Sequence, residues 1–329
     1  MALPTNTYEV VDTVGAREDL SDIIYNISPT ETPFLTMASR GTARAIKHEW
    51  QVDQLASAAS NAQIEGDDPT ILASTPTVRV SNQCQISSKT IAVTGTLEEI
   101  DKAGRDSELS YQLAKRSKEL KRDIEYACVG LNNTAVARTN DGAAAGEAAS
   151  VSAFFDDNLA NTGTLDGVHE SRGAGGTSTG WSGSVFTAAV DGTQRPLLES
   201  DLKSVIQGAW TNGGDPSIIM AGPFNKTVIS SFTGNSTRMD VGEDKRLVAA
   251  IDVYVSDFGD HQVVPNRFQR SRDVYCFTPE LWEVAYLRDF RQHALSKTGD
   301  SEKRQLLAEW TLVGKNQSGN GVVADLTTA

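Results

Sequence analysis

The side chains best suited to chemistry are scattered along this chain. His48, His169, His261 and His293 lie in four different segments, none in the HExxH or HxH spacing that would bring two imidazoles to one metal. Cys84, Cys128 and Cys276 are an odd count with no CxxC pair, so they read as small buried hydrophobes in a reducing compartment. The stretch "GAGGTSTG", Gly173 to Gly180, has the glycines of a phosphate loop but no Lys at the Walker position and no strand before it. "GWSGS", from Gly180, misses the G-x-S-x-G nucleophile elbow by one residue. In a chain with 43 acidic residues, Asp67 with Asp68 and Asp156 with Asp157 are solvated turns before they are catalytic dyads. Asn225 to Thr227 matches a glycosylation acceptor, which means something only in a secreted chain. These patterns assign no catalytic, cofactor-binding or metal residue and imply no cofactor; the chain reads as something other than an enzyme.

Composition narrows the classes further. A chain of 329 residues, 39% hydrophobic, can bury one large core or two intergrown ones. Its mean hydropathy is −0.31, and no apolar run approaches the ~18 residues that would span a bilayer, so no membrane role is expected. The start, "MALPTNTYEVVD", has neither the basic nor the apolar region of a secretory signal, so the chain is expected to be cytosolic where it is made. A net charge of −13 argues against wrapping nucleic acid, because phosphate neutralisation needs clustered Lys and Arg, but it allows the chain to lie beside nucleic acid without adhering.

The elements that would position any site follow from periodicity. "AREDLSDIIYNI" has Leu20, Ile23, Ile24 and Ile27 at helical spacing, with Glu18, Asp19 and Asp22 in an early turn, before Pro29 and Pro33 stop it. Residues 46–93 read as two strand-like halves around a polar middle with Gly66, Asp67, Asp68 and Pro69, hence a long two-stranded excursion that must rest on something else. "TLEEIDKAG" predicts a short helix closed near Gly104. Ser107 to Asn133 predicts a long helix with one apolar stripe, Leu109, Leu113, Leu120, Ile124, Cys128 and Leu131. From Gln112 to Asn133 it carries five basic residues against three acidic, an odd face for so acidic a chain. Residues 139–195 are rich in Gly, Ala, Ser and Thr and read as a loop-rich insertion. Beyond it come a helix with Ser200 as N-cap, buried Leu202, Val205, Ile206, Ala209 and Trp210, and a stop at Gly213. A strand "SIIMAG", a helix opened by Pro223 and a strand with Ile251, Val253 and Val255 in alternation complete an α/β layer. The last long strand presents Leu306, Ala308, Trp310 and Leu312 at period two, after a turn at Thr298 to Asp300.

This order of arm, long hairpin, long helix, α/β layer and returning strands resembles the major capsid proteins of tailed bacteriophages, an α+β class with the Hong Kong 97-type coat fold. "GAREDLSDIIYNISPTETPF", "HEWQVDQL", "AGRDSELSYQLAKRSKELKRDIE", "VVPNRF" and "LSKTGDSEKRQLLAEWTL" resemble one branch of such coat proteins in podophages and siphophages. The resemblance covers Val11 to Asn316 and is weakest over 139–195. It implies an N-terminal arm (1–46), an E-loop hairpin (47–94), a spine helix of the peripheral P-domain (95–134), an axial A-domain (135–268, with the insertion at about 139–196), P-domain strands (269–316) and a C-terminal tail (317–329).

The implied function is self-assembly into an icosahedral shell around the double-stranded DNA genome. Partners implied are the chain itself in pentamers and hexamers, a separate scaffolding protein, a portal protein, an optional decoration protein, and packaged DNA by non-specific proximity; the place is the virion, after assembly in the host cytoplasm. The implied contact residues are Ile64, Glu65, Gly66, Asp67 and Asp68 in the E-loop, with Arg288, Arg291 and Lys297 in the P-domain. Lys118, Lys121 and Arg122 form the basic face of the spine helix, turned to acidic neighbours or the genome. Some coat proteins of this fold crosslink covalently from an E-loop lysine, but Gln51 to Ser88 contains none. Two alternatives stay open: an encapsulin-like nanocompartment shell, which shares the fold, and a soluble α/β enzyme joining residues such as Ser182 and His261.

Overall fold

A computed structural model describes residues 28–155, 170–232 and 252–328, apart from positions 54, 57, 67, 69, 70, 72, 73 and 75. The helix expected over 16–27, together with Asp67, Asp156, Asp157, His169 and Ile251, lies outside the described residues.

The elements run α1 (Pro33–Met37), β1 (Ser39–Thr42), β2 (Lys47–Val52), β3 (Val78–Gln83), β4 (Gln85–Thr94), α2 (Gly95–Glu99) and α3 (Glu108–Glu125). After an irregular stretch come β5 (Glu170–Ser171), α4 (Glu199–Thr211), β6 (Ile218–Ala221), α5 (Pro223–Ser230), β7 (Val253–Ser256), β8 (Gly259–Pro265), β9 (Val274–Phe277), β10 (Trp282–Ala294), β11 (Ser301–Gly314) and β12 (Gly321–Val323).

Two sheets and a projecting hairpin result. The four-stranded sheet has the order β1-β10-β11-β4, and α3 packs across β4 and β11. Period two is obeyed where it was expected, for Ala308, Trp310 and Leu312 are fully buried, with Leu306 half-buried. The other face of β11 is buried as well at Glu309, Thr311 and Val313, so this end of the strand is sandwiched.

The six-stranded sheet has the order β5-β12-β9-β6-β8-β7. It draws in two segments assigned elsewhere by the sequence. β9 pairs with β6 and β12 here, not with the long strands that follow it, and residues 317–325, expected as a tail, are buried, with β12 between β5 and β9. Val322, Val323 and Leu326 are 0–1% exposed, which explains the insertion: apolar side chains at this density find more burial inside a sheet than along a surface.

Smaller differences have local causes. The long helix is α-helical only to Glu125, and Tyr126–Gly130 widen into a π-turn where Gly130 approaches the Phe268 carbonyl. The short helix ends at Glu99, before Gly104. Helix α4 is capped from Leu198, not Ser200, and ends as expected at Gly213 with φ +84°. Trp210 is 53% exposed and meets Phe258 at 5.2 Å, so it is not on the buried face. In β7 the alternation buries Tyr254 and leaves Val253 and Val255 exposed, as befits an edge strand.

Among the described residues a small cluster of Ala43, Cys84, Ala285 and Val313 accompanies two large cores. One is aromatic, with Phe34 against Phe277 (5.5 Å) and Trp282 (6.0 Å), and Phe154 against Trp282 (5.5 Å). The other is aliphatic and lies against the six-stranded sheet, with Leu202, Val205, Ile206, Ile219, Val263 and Val323.

Candidate assembly surfaces

The hairpin β2–β3 is fastened at its base. Trp50 Nε1 donates to the Gly314 carbonyl (3.1 Å), and its ring stacks near Phe186 (6.1 Å) and Phe154 (6.5 Å). Asn82 Nδ2 donates to Leu312 O (2.8 Å) while its Oδ1 accepts from Ala149 N (3.0 Å). At Cys84 the chain leaves the hairpin and enters β4, so one extended run serves two sheets; the Cys84 amide donates to Ile46 O (2.8 Å).

Beyond Val52 and Val78 the chain has no regular partner among the described residues, and its aliphatic side chains are bare. Leu55 is 92% exposed, Ile64 78% and Ile71 96%. Ile64, Glu65, Gly66 and Asp68 are all exposed, and Gly66 takes φ +83°, a left-handed turn that glycine adopts freely.

Helix α3 is held at both ends. Ser107 Oγ accepts from Ser110 N (3.2 Å), and Glu98 Oε2 accepts from the amides of Glu108 (3.1 Å) and Leu109 (3.3 Å), which supplies negative charge at the helix N-terminus. At the other end the buried Glu125 carboxylate accepts from Phe34 N (2.9 Å), Leu35 N (2.9 Å) and Asn266 Nδ2 (2.7 Å), tying α1 and the 266–270 turn to the helix. Burial pushes its pKa up, and the three hydrogen bonds offset only part of that rise. The acids of the helix are thus engaged, with Arg116–Glu119 and Lys89–Asp123 both at 2.6 Å. Lys118 and Lys121 are exposed, and Arg122 is half-buried with its guanidinium 5.9 Å from the Phe268 ring centroid.

The three P-domain bases differ from one another. Arg288 Nε donates to Glu309 Oε2 (2.6 Å) inside the subunit. Arg291 is exposed, and Lys297, also exposed, lies 3.4 Å from Glu302. Glu309 also binds Arg138, whose Nη2 reaches the Cys84 carbonyl (3.0 Å), so the hairpin base, the stretch just before the insertion and β11 share one ionic clasp. Burial alone would raise the Glu309 pKa, but the hydrogen bonds from Arg138 and Arg288 outweigh it and the net shift is downward. Sequence reasoning missed Glu309 and Glu125; the signal was a lone carboxylate inside an apolar run, "LLAEWTL" and "DIEYACV", which burial forces to find partners.

Ser182 and His261 are engaged with separate partners. His261 is buried, its Nε2 2.7 Å from Ser256 Oγ and its Nδ1 bonded to the Pro216 carbonyl, while Ser182 Oγ donates to Val185 O (3.0 Å) in its own loop. The amide of Gly173 in "GAGGTSTG" donates to Asp325 (3.1 Å), as does that of Gly192 (2.8 Å), so the protein's own carboxylate occupies that turn. All three cysteines are buried free thiols; burial pushes Cys276 up to about 12 and is the main cause of Cys84's rise to about 11, suppressing thiolate. Among the described residues no three His, Cys, Asp or Glu side chains are grouped to hold a metal.

A spine helix across a hairpin-bearing sheet, a second mixed sheet and a projecting loop define a phage coat-protein fold. The structure agrees over nearly its whole length with solved capsids: that of cyanophage A-1(L) (TM-score 0.62, 13% identity, 95% of this chain and 97% of that one) and that of Gordonia phage Cozz (TM-score 0.59, 10% identity, 100% and 99%). Phage G, solved with gp27 major capsid and gp26 decoration proteins, agrees at TM-score 0.53 with 9% identity over 99% and 100%. The family model of the SU10 major capsid protein matches residues 3–327, and the chain belongs to that family. It is 27% identical over 357 residues to the major capsid protein of Escherichia phage Phieco32, covering 98% of this chain and 97% of the relative. The protein is a structural subunit of a tailed-phage icosahedral shell, and not an enzyme.

Proposed function

We propose that shell formation runs through the projecting loop and the two basic surfaces. The observation that carries this is the contrast within the hairpin: a base fixed by Trp50, Asn82 and Cys84, and a tip whose Leu55, Ile64 and Ile71 find no cover in their own subunit. Burying each such side chain is worth about 1.5–3 kcal/mol, enough to hold the tip across an adjacent subunit's spine helix and P-domain. Many such modest contacts combine through multivalency, and each stays weak enough to be corrected during growth.

In this reading Ile64, Glu65, Gly66, Asp67 and Asp68 contact the neighbour, Arg291 and Lys297 offer charge to it, and Arg288 contributes through the clasp that orients the hairpin base. Lys118, Lys121 and Arg122 face acidic groups of neighbours or packaged DNA, while acidity elsewhere keeps the genome from adhering. A scaffolding protein and a portal direct closure in the host cytoplasm, and a decoration protein, of the kind solved with Phage G, is an optional later partner.

Deleting Asn61 to Thr75 tests the reading. The variant should keep the thermal transition of the unassembled subunit and lose closed shells by negative-stain microscopy when expressed with its scaffold. Normal shells from the deletion would overturn it.

A further inference from the structure

A two-stranded hairpin is barely stable by itself, and β2–β3 has one apolar face to bury. Trp50 pairs with Val80 and Val52 with Val78, so these four side chains share a face and pack against the aromatic core. Glu49 and Arg79, on the other face, form an ion pair at 3.7 Å.

The ring that meets Trp50 most nearly comes from the stretch that reads in the sequence as a small-residue loop. There Trp181 and Phe186 pair across a tight turn: Ser182 N donates to Val185 O (3.0 Å), Thr187 N donates to Gly180 O (2.9 Å), and Gly183 takes φ +90°. The near-motif "GWSGS" belongs to this turn. Phe186 is buried, with Phe154 at 4.1 Å, Trp181 at 5.1 Å and Trp50 at 6.1 Å, the last with ring planes 18° apart.

The turn is tied in its own right to the chain just beyond the spine helix. Ala135 N donates to Phe186 O (2.9 Å) and Ala188 N to Thr134 Oγ1 (2.9 Å). Asn132 grips Ala189 with both ends of its side chain, Nδ2 donating to the carbonyl (2.6 Å) and Oδ1 accepting from the amide (3.1 Å). A continuous set of contacts therefore runs from residues 132–135 through Phe186 to Trp50.

We propose that the turn Gly180–Thr187 is the positioning element of the projecting loop: Phe186, with Trp181 behind it, fixes the angle at which the hairpin leaves the subunit. The run β3–β4 changes sheet at Cys84, so the hairpin's direction beyond that point is set by what its apolar face meets. Small errors there are magnified. A tilt of about 15° at the base carries the far end of β3, six residues or about 20 Å away, through about 5 Å. This deepens the loop-mediated assembly above and rests on it only for the consequence in shells.

Pulsed electron paramagnetic resonance on unassembled, full-length subunits tests it, with spin labels on Thr77→Cys at the hairpin's far end and Thr90→Cys on β4. Both positions are exposed, and the native cysteines are buried. The otherwise unaltered chain should give one narrow distance. Phe186→Leu keeps most of the apolar volume and should keep the circular dichroism spectrum, yet shift the mean distance by about 5 Å or double its width. Trp181→Leu, which takes away the ring behind Phe186, should move it less in the same direction, and it carries the test if Phe186→Leu does not fold. Ile206→Ala, in the aliphatic core, is the control for general loosening and should lower the melting temperature with the distance unchanged. An unchanged distance in the turn variant, or an equal shift in Ile206→Ala, would overturn the proposal. The distances are read before assembly, so they test the positioning whether or not the Asn61 to Thr75 deletion forms shells.

Discussion

Glu125 should be the most costly single polar side chain to remove from the spine helix. In Glu125→Ala three donors lose their acceptor at once: the amide of fully buried Phe34, the amide of half-buried Leu35 and the side-chain amide of buried Asn266, now 2.7–2.9 Å from the carboxylate. A buried donor left unsatisfied costs about 1–3 kcal/mol, and the carboxylate's own desolvation penalty, visible in its raised pKa, is relieved, so the net loss is about 2–4 kcal/mol. Urea unfolding of the unassembled subunit would read this as a midpoint lower by about 1 M. Glu125→Gln keeps one acceptor oxygen and should lose about half as much.

The pH dependence has a definite sign. Because the folded pKa lies above the ordinary 4.5, the native state holds a proton that the unfolded chain has released in the window just above that value. Wild-type stability relative to Glu125→Gln should therefore fall as pH rises through the window. A Glu125→Ala midpoint within error of wild type, or a difference profile rising with pH, would refute the reasoning.

Glu309→Gln should behave oppositely. The folded pKa of Glu309 is depressed below 4.5, so its contribution is present above that pH and is lost as pH falls through the folded pKa, a slope the variant should lack, along with about 2–4 kcal/mol at neutral pH in denaturant titration. Gly130→Ala places a Cβ 2.4 Å from the Phe268 carbonyl and 2.3 Å from the Tyr126 ring, and should lower stability by about 1–3 kcal/mol by thermal melting. Reversing Lys118, Lys121 and Arg122 to Glu should leave circular dichroism unchanged, since Leu120 and Ile124 keep their burial, while shell yield falls at low salt and recovers as salt rises. Particles boiled in denaturant should run as one band near 35.3 kDa, because the loop has no lysine and Lys47 and Lys89 at its base are paired with Glu49 and Asp123.

Local pattern alone determined much of this protein. Ser107 before a striped run set the start of the spine helix, Pro223 opened α5, Gly213 closed α4, and Ala308, Trp310 and Leu312 at period two marked the sandwiched strand, because each of these signals is written within a few residues. The projecting loop was legible too, as a polar excursion that could not support itself, whereas its bare Leu55 and Ile71 were not. Partner choice was not legible in that way. The change of sheet at Cys84, the burial of β12, the grip of Glu125 on Phe34 across 91 residues and the engagement of Arg288 by Glu309 all depend on which distant surface comes to lie alongside. Propensity and periodicity say that a side chain must be buried or a charge matched; only the tertiary packing decides against what, because burial and hydrogen bonding reward any adequate partner and the chain's path selects one.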